Sequence, residues 1–328
     1  FYSLRPVDDA VARRLKQRAA GWVDASVLDD AALAARLRAD AIDIAVDLAG
    51  HTPGHRLAMF AHRPAPLCIA WLDYFDTTGL ATMDYLVTDR MHSPNDDAQR
   101  FTERLLRLAR IRLCYEPIEG APDVVPPPLT RGEAPVLGSF NRLAKISTAT
   151  LDAWCAALEA VPQAHLVIKN SSLGFEEERA LVRSWFADRG IEPARLRLRG
   201  FSSHLDMLAE YGDIDLVLDT TPYNGGMTTL EALWMGRPVV SLRGDSFIAR
   251  QGAAILDAAG LQELVARDVR DFAAIVDRWT RSPRELGSLS AQLRGRLRAS
   301  PLLDARGLAR SLEAAYREAW QGWVRAGQ

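Results

Sequence analysis

The chain has 328 residues, of which 48% are apolar and 25% are charged, and its formal net charge at pH 7 is −2. This composition is that of an ordinary globular protein, and it lacks the basic excess typical of proteins that bind nucleic acids or anionic membranes. No apolar run reaches the length of a membrane span, no signal peptide is visible, and the three cysteines are scattered without CxxC spacing. We therefore expect a cytoplasmic protein of about two domains, with no nucleic-acid or membrane partner, no disulfide framework and no zinc site.

Predicted helices and strands alternate through the first third of the chain. Helical spacing covers residues 11–20 and 29–39, and the apolar run 42–48 predicts a buried strand. Two further strands are predicted at 67–72 and 85–88, and a short helix at 103–109. This alternation is typical of a parallel sheet covered by helices on both faces.

A proline-rich segment, residues 116–135, is the best candidate for a linker. Beyond it the alternation resumes, with a strand at 136–140 and a helix at 151–161. We expect two lobes, residues 1–122 and 123–300, followed by an amphipathic helix within 301–328.

One segment, residues 216–242, carries the clearest functional signal and reads LVLDTTPYNGGMTTLEALWMGRPVVSL. An apolar strand ends at Asp219, a loop containing Asn224, Gly225 and Gly226 follows, and a helix begins at Met227. A strand, a glycine-bearing loop and a helix N-terminus together point backbone N–H groups at an anion, usually a phosphate.

A carboxylate follows on the same helix. Glu231 lies three residues beyond Thr228, about 4.5 Å further along the axis and on the same face. A carboxylate at that distance from a phosphate accepts hydrogen bonds from ribose hydroxyls. The pattern therefore predicts a sugar-nucleotide site, and the alternative is an ordinary α/β connection in which the helix only packs.

Three blocks in this order resemble the O-linked N-acetylglucosamine transferase family. They are DLAGHTPGHR with FAHRPAPLCIAWLDYFDTTG (within 47–79), LGSFNRLAKIS (137–147) and YNGGMTTLEALWMGRPVV (223–240). The resemblance implies a GT-B type α/β fold of two Rossmann-like lobes, with a C-terminal helix that crosses back to the first lobe. It also implies that tetratricopeptide repeats precede this region, and that the chain begins after a family histidine in the first strand–helix loop.

The resemblance assigns the UDP-sugar donor to the second lobe. Lys145 matches the family's lysine that holds the diphosphate, where an ammonium neutralises the departing UDP in place of a metal ion. No cofactor or metal is therefore expected. The other donor-binding residues implied are Asn141, Arg142, His204, Asn224, Gly225, Gly226, Thr228, Thr229 and Glu231.

Some donor positions depart from the family pattern. Arg142 and Ala144 stand where relatives have glutamine and tyrosine, and the family's threonine pair falls on Met227 and Thr228, with Thr229 as a stand-in. The family's histidine near the uracil falls on Met207. His204, three residues upstream, is expected to serve the same site.

The first lobe is expected to face the sugar and the acceptor. His51 has a suitable intrinsic pKa for accepting the acceptor's proton, and Asp76 or Asp73 is the alternative if it is partly desolvated. A turn carboxylate that binds its own backbone is the competing interpretation of either aspartate. The remaining residues assigned to this side are Arg56, Tyr74, Thr77 and Thr78.

The function implied is inverting, metal-independent transfer of N-acetylglucosamine from UDP-N-acetylglucosamine to serine or threonine hydroxyls of a protein. Two alternatives remain open: a non-catalytic UDP-binding or protein-docking module of the same fold, and a UDP-glucose-dependent protein N-glucosyltransferase. Neither GxGxxG after a strand nor GxxxxGK[ST] occurs, so dehydrogenase and P-loop ATPase interpretations lack their phosphate loops.

Overall fold

The computed structural model describes residues 1–94 and 101–327, which fall into two units. The first unit consists of residues 1–112 together with residues from 310 onward, and the second unit is Leu113–Ala309. The sequence analysis placed the boundary at residue 122 instead.

The first unit is a small parallel α/β domain. Its elements in chain order are β1 (Tyr2–Ser3), α1 (Ala10–Arg18), β2 (Val23–Asp24), α2 (Asp30–Ala39), β3 (Ile44–Asp47), α3 (Leu57–Phe60), β4 (Leu67–Ala70), β5 (Tyr85–Asp89) and β6 (Arg104–Leu108). β3, β4, β5 and β6 form a parallel sheet in that order, and β1 pairs with β2. β4 and β5 are buried along their whole length, as expected for strands covered on both faces.

The prediction of a helix at 103–109 was wrong, because Arg104–Leu108 is strand β6. It pairs in parallel with β5 along five residues, from Tyr85 opposite Arg104 to Asp89 opposite Leu108. The Arg104 guanidinium lies 4.2 Å from the centre of the Tyr85 ring on the neighbouring strand. A five-residue run of arginine and leucine fits both the helical and the strand period, and the pairing with a neighbouring strand decides between the two.

The second unit is a larger parallel α/β domain. Its elements are β7 (Val136–Ser139), α4 (Thr148–Ala160), β8 (His165–Lys169), α5 (Glu176–Ala187), β9 (Leu196–Arg199), α6 (His204–Glu210), β10 (Leu216–Leu218), α7 (Met227–Trp234), β11 (Val239–Leu242), α8 (Gln251–Ala258), β12 (Val265–Ala266), α9 (Val269–Thr280) and α10 (Pro283–Ala299).

The sheet of this unit has the order β12-β11-β10-β7-β8-β9, and its pairings are parallel. The first strand of the unit, β7, lies at the centre, with β8 and β9 on one side and β10 to β12 on the other. This is the doubly wound Rossmann order, and the strand order reverses between β7 and β10. Ligands of such sheets bind beyond the carboxyl ends of the two strands at this reversal.

The predicted linker packs on the second unit. Asp215, just before β10, accepts the backbone N–H groups of Leu129 and Val136 at 2.8 and 2.7 Å. The buried Arg237 guanidinium donates to the carbonyl of Val125 at 2.9 Å, and Arg294 donates to that of Pro122 at 2.6 Å. These contacts bind the proline-rich segment to the second unit.

The last helix, α11 (Ala305–Ala326), contributes its first residues to the second unit and the remainder to the first. It follows Asp304, whose carboxylate accepts the backbone N–H of Gly307 at 2.9 Å. Within the described ranges, no helix combines the length and apolar character needed to cross a lipid bilayer.

Candidate functional site

The two sequence blocks singled out in the second lobe follow the two central strands. Asn141–Lys145 follows β7, and the loop 220–226 follows β10; β7 and β10 are paired through Leu137 opposite Leu216. Both blocks therefore lie at the carboxyl edge of the sheet, at the point where the strand order reverses. The fold brings them together as the sequence analysis expected.

Asp219, at the end of β10, organises the loop. Its Oδ1 accepts the backbone N–H groups of Thr220 at 2.8 Å and Gly225 at 2.7 Å, and its Oδ2 accepts the Ser241 hydroxyl at 2.7 Å. Burial raises the pKa of this carboxyl, and these hydrogen bonds and Lys145 oppose the shift. The loop is thus folded around one buried acidic group.

Gly225 is required by the close packing of this loop. A Cβ atom there would lie 2.6 Å from Oγ1 of Thr229 and 2.7 Å from Oγ1 of Thr228. The Thr228 hydroxyl donates to Oδ1 of Asn141 at 2.8 Å, so it joins the loop after β10 to the block after β7. Thr229 is buried at 2% exposure. Both threonine hydroxyls that the sequence assigned to a ligand thus lie against the protein in this structure.

Lys145 is anchored across the same loop. Its ammonium donates to the carbonyl of Asn224 at 3.0 Å and lies 4.4 Å from the centre of the Tyr223 ring. Burial lowers the pKa of Lys145, Asp219 opposes that shift, and the exposed Arg142 adds to it. The arrangement presents a fixed positive charge beside the glycine-bearing loop.

The N-terminus of α7 closes this side of the site. Gly226 is the N-cap residue and supplies no side-chain cap, and Met227 at the first helical position is 58% exposed. A helix start without a side-chain cap leaves first-turn N–H groups available to an anion. Asn224 is held inside the loop, where its Nδ2 donates to the carbonyl of Thr220 at 2.6 Å.

Glu231 and His204 form a hydrogen-bonded pair one turn further along. Nε2 of His204 lies 2.7 Å from Oε1 of Glu231, which is only 6% exposed. Burial raises the pKa of Glu231, and His204 acts in the opposite direction. The sequence analysis named both residues without foreseeing that they pair.

A cavity of about 300 Å³ opens next to this pair within the second unit. Its walls combine aromatic and aliphatic surface with polar groups, from Phe140, Lys169, Asn170, Ser171, Gly200, Phe201, Ser202, His204 and Met207. Phe140 stacks on the buried Tyr211 with ring centroids 4.2 Å apart. Lys169 is neutralised by Glu210 at 2.8 Å, so the cavity wall carries no unpaired lysine charge.

In the first lobe, His51 and Tyr74 adjoin each other. Nε2 of His51 lies 2.9 Å from the carbonyl oxygen of Thr78, and because a carbonyl only accepts, Nε2 carries the proton. The Tyr74 ring packs edge-on against His51 with centroids 5.0 Å apart. Gly50 has φ +54°, and a Cβ there would lie 2.1 Å from that of Tyr74. His51 therefore presents Nδ1 as its proton-accepting nitrogen.

A buried glutamate that the sequence analysis missed holds the loop of Thr77 and Thr78. Glu103 accepts the Thr77 hydroxyl at 2.7 Å, the Thr78 backbone N–H at 2.7 Å and also the Thr78 hydroxyl. It precedes β6, in the run assigned to a helix, and nothing local marked it. Asp76 accepts the backbone N–H of Thr77 at 2.8 Å, as the turn interpretation expected.

Arg56 is held by the start of α2 instead of standing free. Its guanidinium donates to Oδ1 of Asp30 at 2.5 Å and to the carbonyl of Leu28 at 2.7 Å. Its side chain is 20% exposed. Of the first-lobe residues named from the sequence, Arg56 has the clearest structural role.

Asp219 and Tyr223 are two second-lobe residues whose contribution the sequence analysis did not foresee, and Phe140 in the cavity wall is a third. The sequence did contain a signal for Asp219, because an acidic residue there ends an apolar strand at a predicted phosphate loop. No comparable signal marked Tyr223. No group of three or more histidine, cysteine or acidic side chains suited to a metal ion occurs in the described part of the chain.

Comparison with known proteins identifies the family of this chain. The family model described as "Glycosyl transferase family 41" matches residues 1–113 and 130–312. The probable UDP-N-acetylglucosamine–peptide N-acetylglucosaminyltransferase SPINDLY of Oryza sativa subsp. japonica is 37% identical over 92% of this chain and 32% of its own length. The UDP-N-acetylglucosamine–peptide N-acetylglucosaminyltransferase of Caenorhabditis elegans is 22% identical over 88% of this chain and 35% of its own length.

Among solved structures, a K341M mutant of Thermobaculum terrenum O-GlcNAc transferase superposes with a TM-score of 0.93 at 39% identity, over 100% of this chain and 62% of that one. The chain thus spans about a third of the length of these curated relatives. The predicted resemblance and the GT-B type fold class are confirmed. The chain belongs to glycosyl transferase family 41.

Proposed function

We propose that this chain is the catalytic region of an inverting, metal-independent glycosyltransferase that acts in the cytoplasm. It moves N-acetylglucosamine from UDP-N-acetylglucosamine to serine or threonine hydroxyls of proteins. One observation carries the proposal. Lys145, Glu231 and the loop that is folded around Asp219 meet where the strand order of one Rossmann-like sheet reverses. The names of the peptide N-acetylglucosaminyltransferases among the relatives supply the donor sugar and the acceptor class.

The donor is divided among three parts of the second lobe. The diphosphate lies at the uncapped start of α7 and next to Lys145, and the ribose hydroxyls donate to Glu231. The uracil ring enters the cavity lined by Phe140 and Met207, whose apolar surface suits a flat ring. Support for this division comes from the spacing of the groups along α7 and from the position of the cavity beside His204.

Transfer proceeds by a single displacement. The acceptor oxygen forms a bond with the anomeric carbon as the bond from that carbon to the β-phosphate oxygen breaks, and UDP leaves with the bonding electrons. The acceptor proton passes to a base. Lys145 neutralises the charge that develops on the departing diphosphate, which is the work a divalent metal does in metal-dependent transferases.

His51 is the proposed base. Because its Nε2 proton is directed to the Thr78 carbonyl, Nδ1 is the nitrogen that receives the proton. Tyr74 holds the ring from one side, and Thr77 and Thr78 support it through the loop that Glu103 braces. Asp76, which binds its own turn, and Arg56, which binds α2, then shape the acceptor side without transferring protons.

The proposal is tested by transfer assays on the purified chain with a library of serine- and threonine-containing peptides. We expect UDP release and a mass gain of one N-acetylhexosamine on peptide, a product anomer inverted relative to the donor, and full activity in EDTA. Transfer from UDP-glucose to asparagine peptides, or loss of activity in EDTA that added metal restores, would contradict it.

A pair of matched lysine variants locates the activity. Lys145→Met removes the charge next to the loop but keeps an unbranched side chain, whereas Lys16→Met removes a charge on α1 in the other unit. We expect turnover to fall by about 100-fold or more in the first variant and to stay unchanged in the second. A chain that binds UDP but transfers nothing to any peptide would identify the non-catalytic alternative.

A further inference from the structure

The Glu231 carboxylate has one oxygen fixed and one available. Oε1 accepts Nε2–H of His204 at 2.7 Å, and Oε2 accepts no hydrogen bond from any residue in the described ranges. Glu231 is buried on α7, whereas the His204 side chain at the start of α6 is 48% exposed. His204 therefore contacts the carboxylate from its exposed side, and it also lines the cavity.

The other titratable groups that face Glu231 are uncharged at neutral pH. Burial and the charge of Glu231 raise the pKa of Tyr115 to about 12 and that of Tyr211 well above its usual value. Arg294 of α10 lies over the Trp234 ring at 4.9 Å and donates to the carbonyl of Pro122, so it is engaged elsewhere. In the described part of the chain, His204 is the group that opposes the effect of burial on the pKa of Glu231.

We propose that His204 is a positioning residue for the donor ribose: it fixes Glu231 as an ionised acceptor whose Oε2 receives the ribose hydroxyls, without itself contacting the ribose. This inference rests on the proposed function, because it takes the ligand of Glu231 to be the donor's ribose. Glu231 needs a partner to stay ionised, because its burial raises the pKa of that carboxyl and favours the protonated form. A protonated carboxyl offers one acceptor fewer to the ribose.

A double-mutant cycle on the purified chain tests whether His204 acts through Glu231. Calorimetry measures the binding of UDP and of 2′,3′-dideoxy-UDP, which lacks both ribose hydroxyls, to wild type, His204→Ala, Glu231→Gln and the double variant. We expect His204→Ala to lower the ratio of UDP to dideoxy-UDP affinity by about 5- to 10-fold. In the Glu231→Gln background, the further loss of His204 is expected to leave this ratio unchanged.

The pH profile separates this role from a structural one. As the pH falls, the ratio of UDP to dideoxy-UDP affinity is expected to fall at a higher pH in His204→Ala than in wild type, because His204 opposes the burial that raises the pKa of Glu231. Because both nucleotides carry the same diphosphate, the effect of its titration cancels in the ratio. His204→Gln keeps an N–H donor to Glu231, so it is expected to restore part of the ratio that His204→Ala loses.

Three outcomes overturn the role of His204: equal weakening of both nucleotides in His204→Ala, a double variant with a lower ratio of UDP to dideoxy-UDP affinity than Glu231→Gln alone, or a ratio that depends on pH in the same way in His204→Ala and in wild type. Thermal melting of each variant shows whether the fold is retained, and half-exposed His204 is expected to tolerate substitution. A wild-type chain that binds neither nucleotide contradicts the proposed function itself. A wild-type chain that binds UDP but fails the cycle contradicts only the role of His204.

Discussion

Asp219 and Gly225 are joined by a hydrogen bond of 2.7 Å from the glycine backbone N–H to Oδ1 of the aspartate. The bond closes the loop after β10 back on the end of its own strand, and the same oxygen accepts the N–H of Thr220. Asn141 and Lys145, which come from the block after β7, stand around it. The conformation of the proposed phosphate loop thus depends on one buried carboxylate.

Replacement of this carboxylate is expected to weaken nucleotide binding. In Asp219→Asn the amide cannot accept all of the N–H and hydroxyl donors that now converge on the two oxygens, and the field that holds Lys145 is lost. We expect UDP affinity to fall by about 10-fold or more, together with a lower melting temperature. Calorimetry and thermal melting measure the two effects.

Asp215 provides a matched control for that variant. It is buried at the other end of β10 and also accepts two backbone N–H groups, those of Leu129 and Val136. Asp215→Asn is expected to lower the melting temperature while leaving UDP affinity unchanged. If both variants lost UDP affinity to the same extent, the effect of Asp219 would be one of general stability.

The packing around Gly225 predicts a size limit. A methyl group there meets the two threonine hydroxyls at 2.6 and 2.7 Å, and neither threonine backbone is free to retreat within α7. Gly225→Ala is therefore expected to disturb the start of α7 and to reduce UDP affinity by about 10-fold or more. Gly295→Ala, in an exposed and open position of α10, should instead stabilise the protein by about 0.5–1 kcal/mol. Equal UDP affinity in both variants would show that the loop has more room than its contacts indicate.

Glu103 links the first lobe's loop to the proposed chemistry. Glu103→Gln weakens its hold on Thr77 and Thr78, and hence on the carbonyl that orients His51. We expect transfer to slow by about 10-fold while UDP affinity stays the same, because Glu103 belongs to the first unit. Steady-state assays and calorimetry separate the two quantities, with the exposed Glu119→Gln as the control. Loss of UDP affinity in Glu103→Gln would contradict this assignment.

The acid sensitivity of the first unit is expected to depend on Asp89. Its burial favours a raised pKa, but the contact with His92 and the backbone N–H groups of His92 and Arg112 lower the pKa to about 2. A carboxyl with a lowered folded pKa stabilises the fold above the unfolded value near 3.9, and this contribution is lost as the pH falls toward 2.

Asp89→Asn removes this contribution, which is about 2 kcal/mol. We expect the difference in unfolding free energy between wild type and Asp89→Asn to shrink as the pH falls from about 5 to 2. Urea titrations at each pH measure it. A difference that does not change with pH would mean that Asp89 is not ionised against His92 in the folded protein.

The sequence predicted the alternating parallel architecture, and it predicted that the two blocks proposed to bind the donor follow strands, because both features depend on local patterns. The run 216–242 contains its strand, glycine loop and helix start within a single segment, so its geometry could be inferred without the rest of the chain. By contrast, the pairing of His204 with Glu231 joins residues 27 positions apart, and Glu103 reaches Thr78 over 25 positions. Contacts of this kind depend on tertiary packing that no local period encodes.

The proline-rich segment also shows that a local pattern does not encode tertiary packing. Their density in 116–135 correctly indicated irregular backbone, but it could not show that Arg237 and Arg294, more than a hundred residues away, bind that backbone to the second unit. The strand at 104–108 was missed for a related reason, since only its neighbour β5 distinguishes it from a short helix.

The most direct measurement is calorimetric titration of the purified chain with UDP, in wild type, Lys145→Met and Lys16→Met. We expect saturable binding in wild type and in Lys16→Met, and binding weakened by about 10- to 100-fold in Lys145→Met, because a charge-assisted contact to phosphate is lost. Equal UDP affinity in all three folded proteins would place the donor away from Lys145 and would contradict the site proposed in the second lobe.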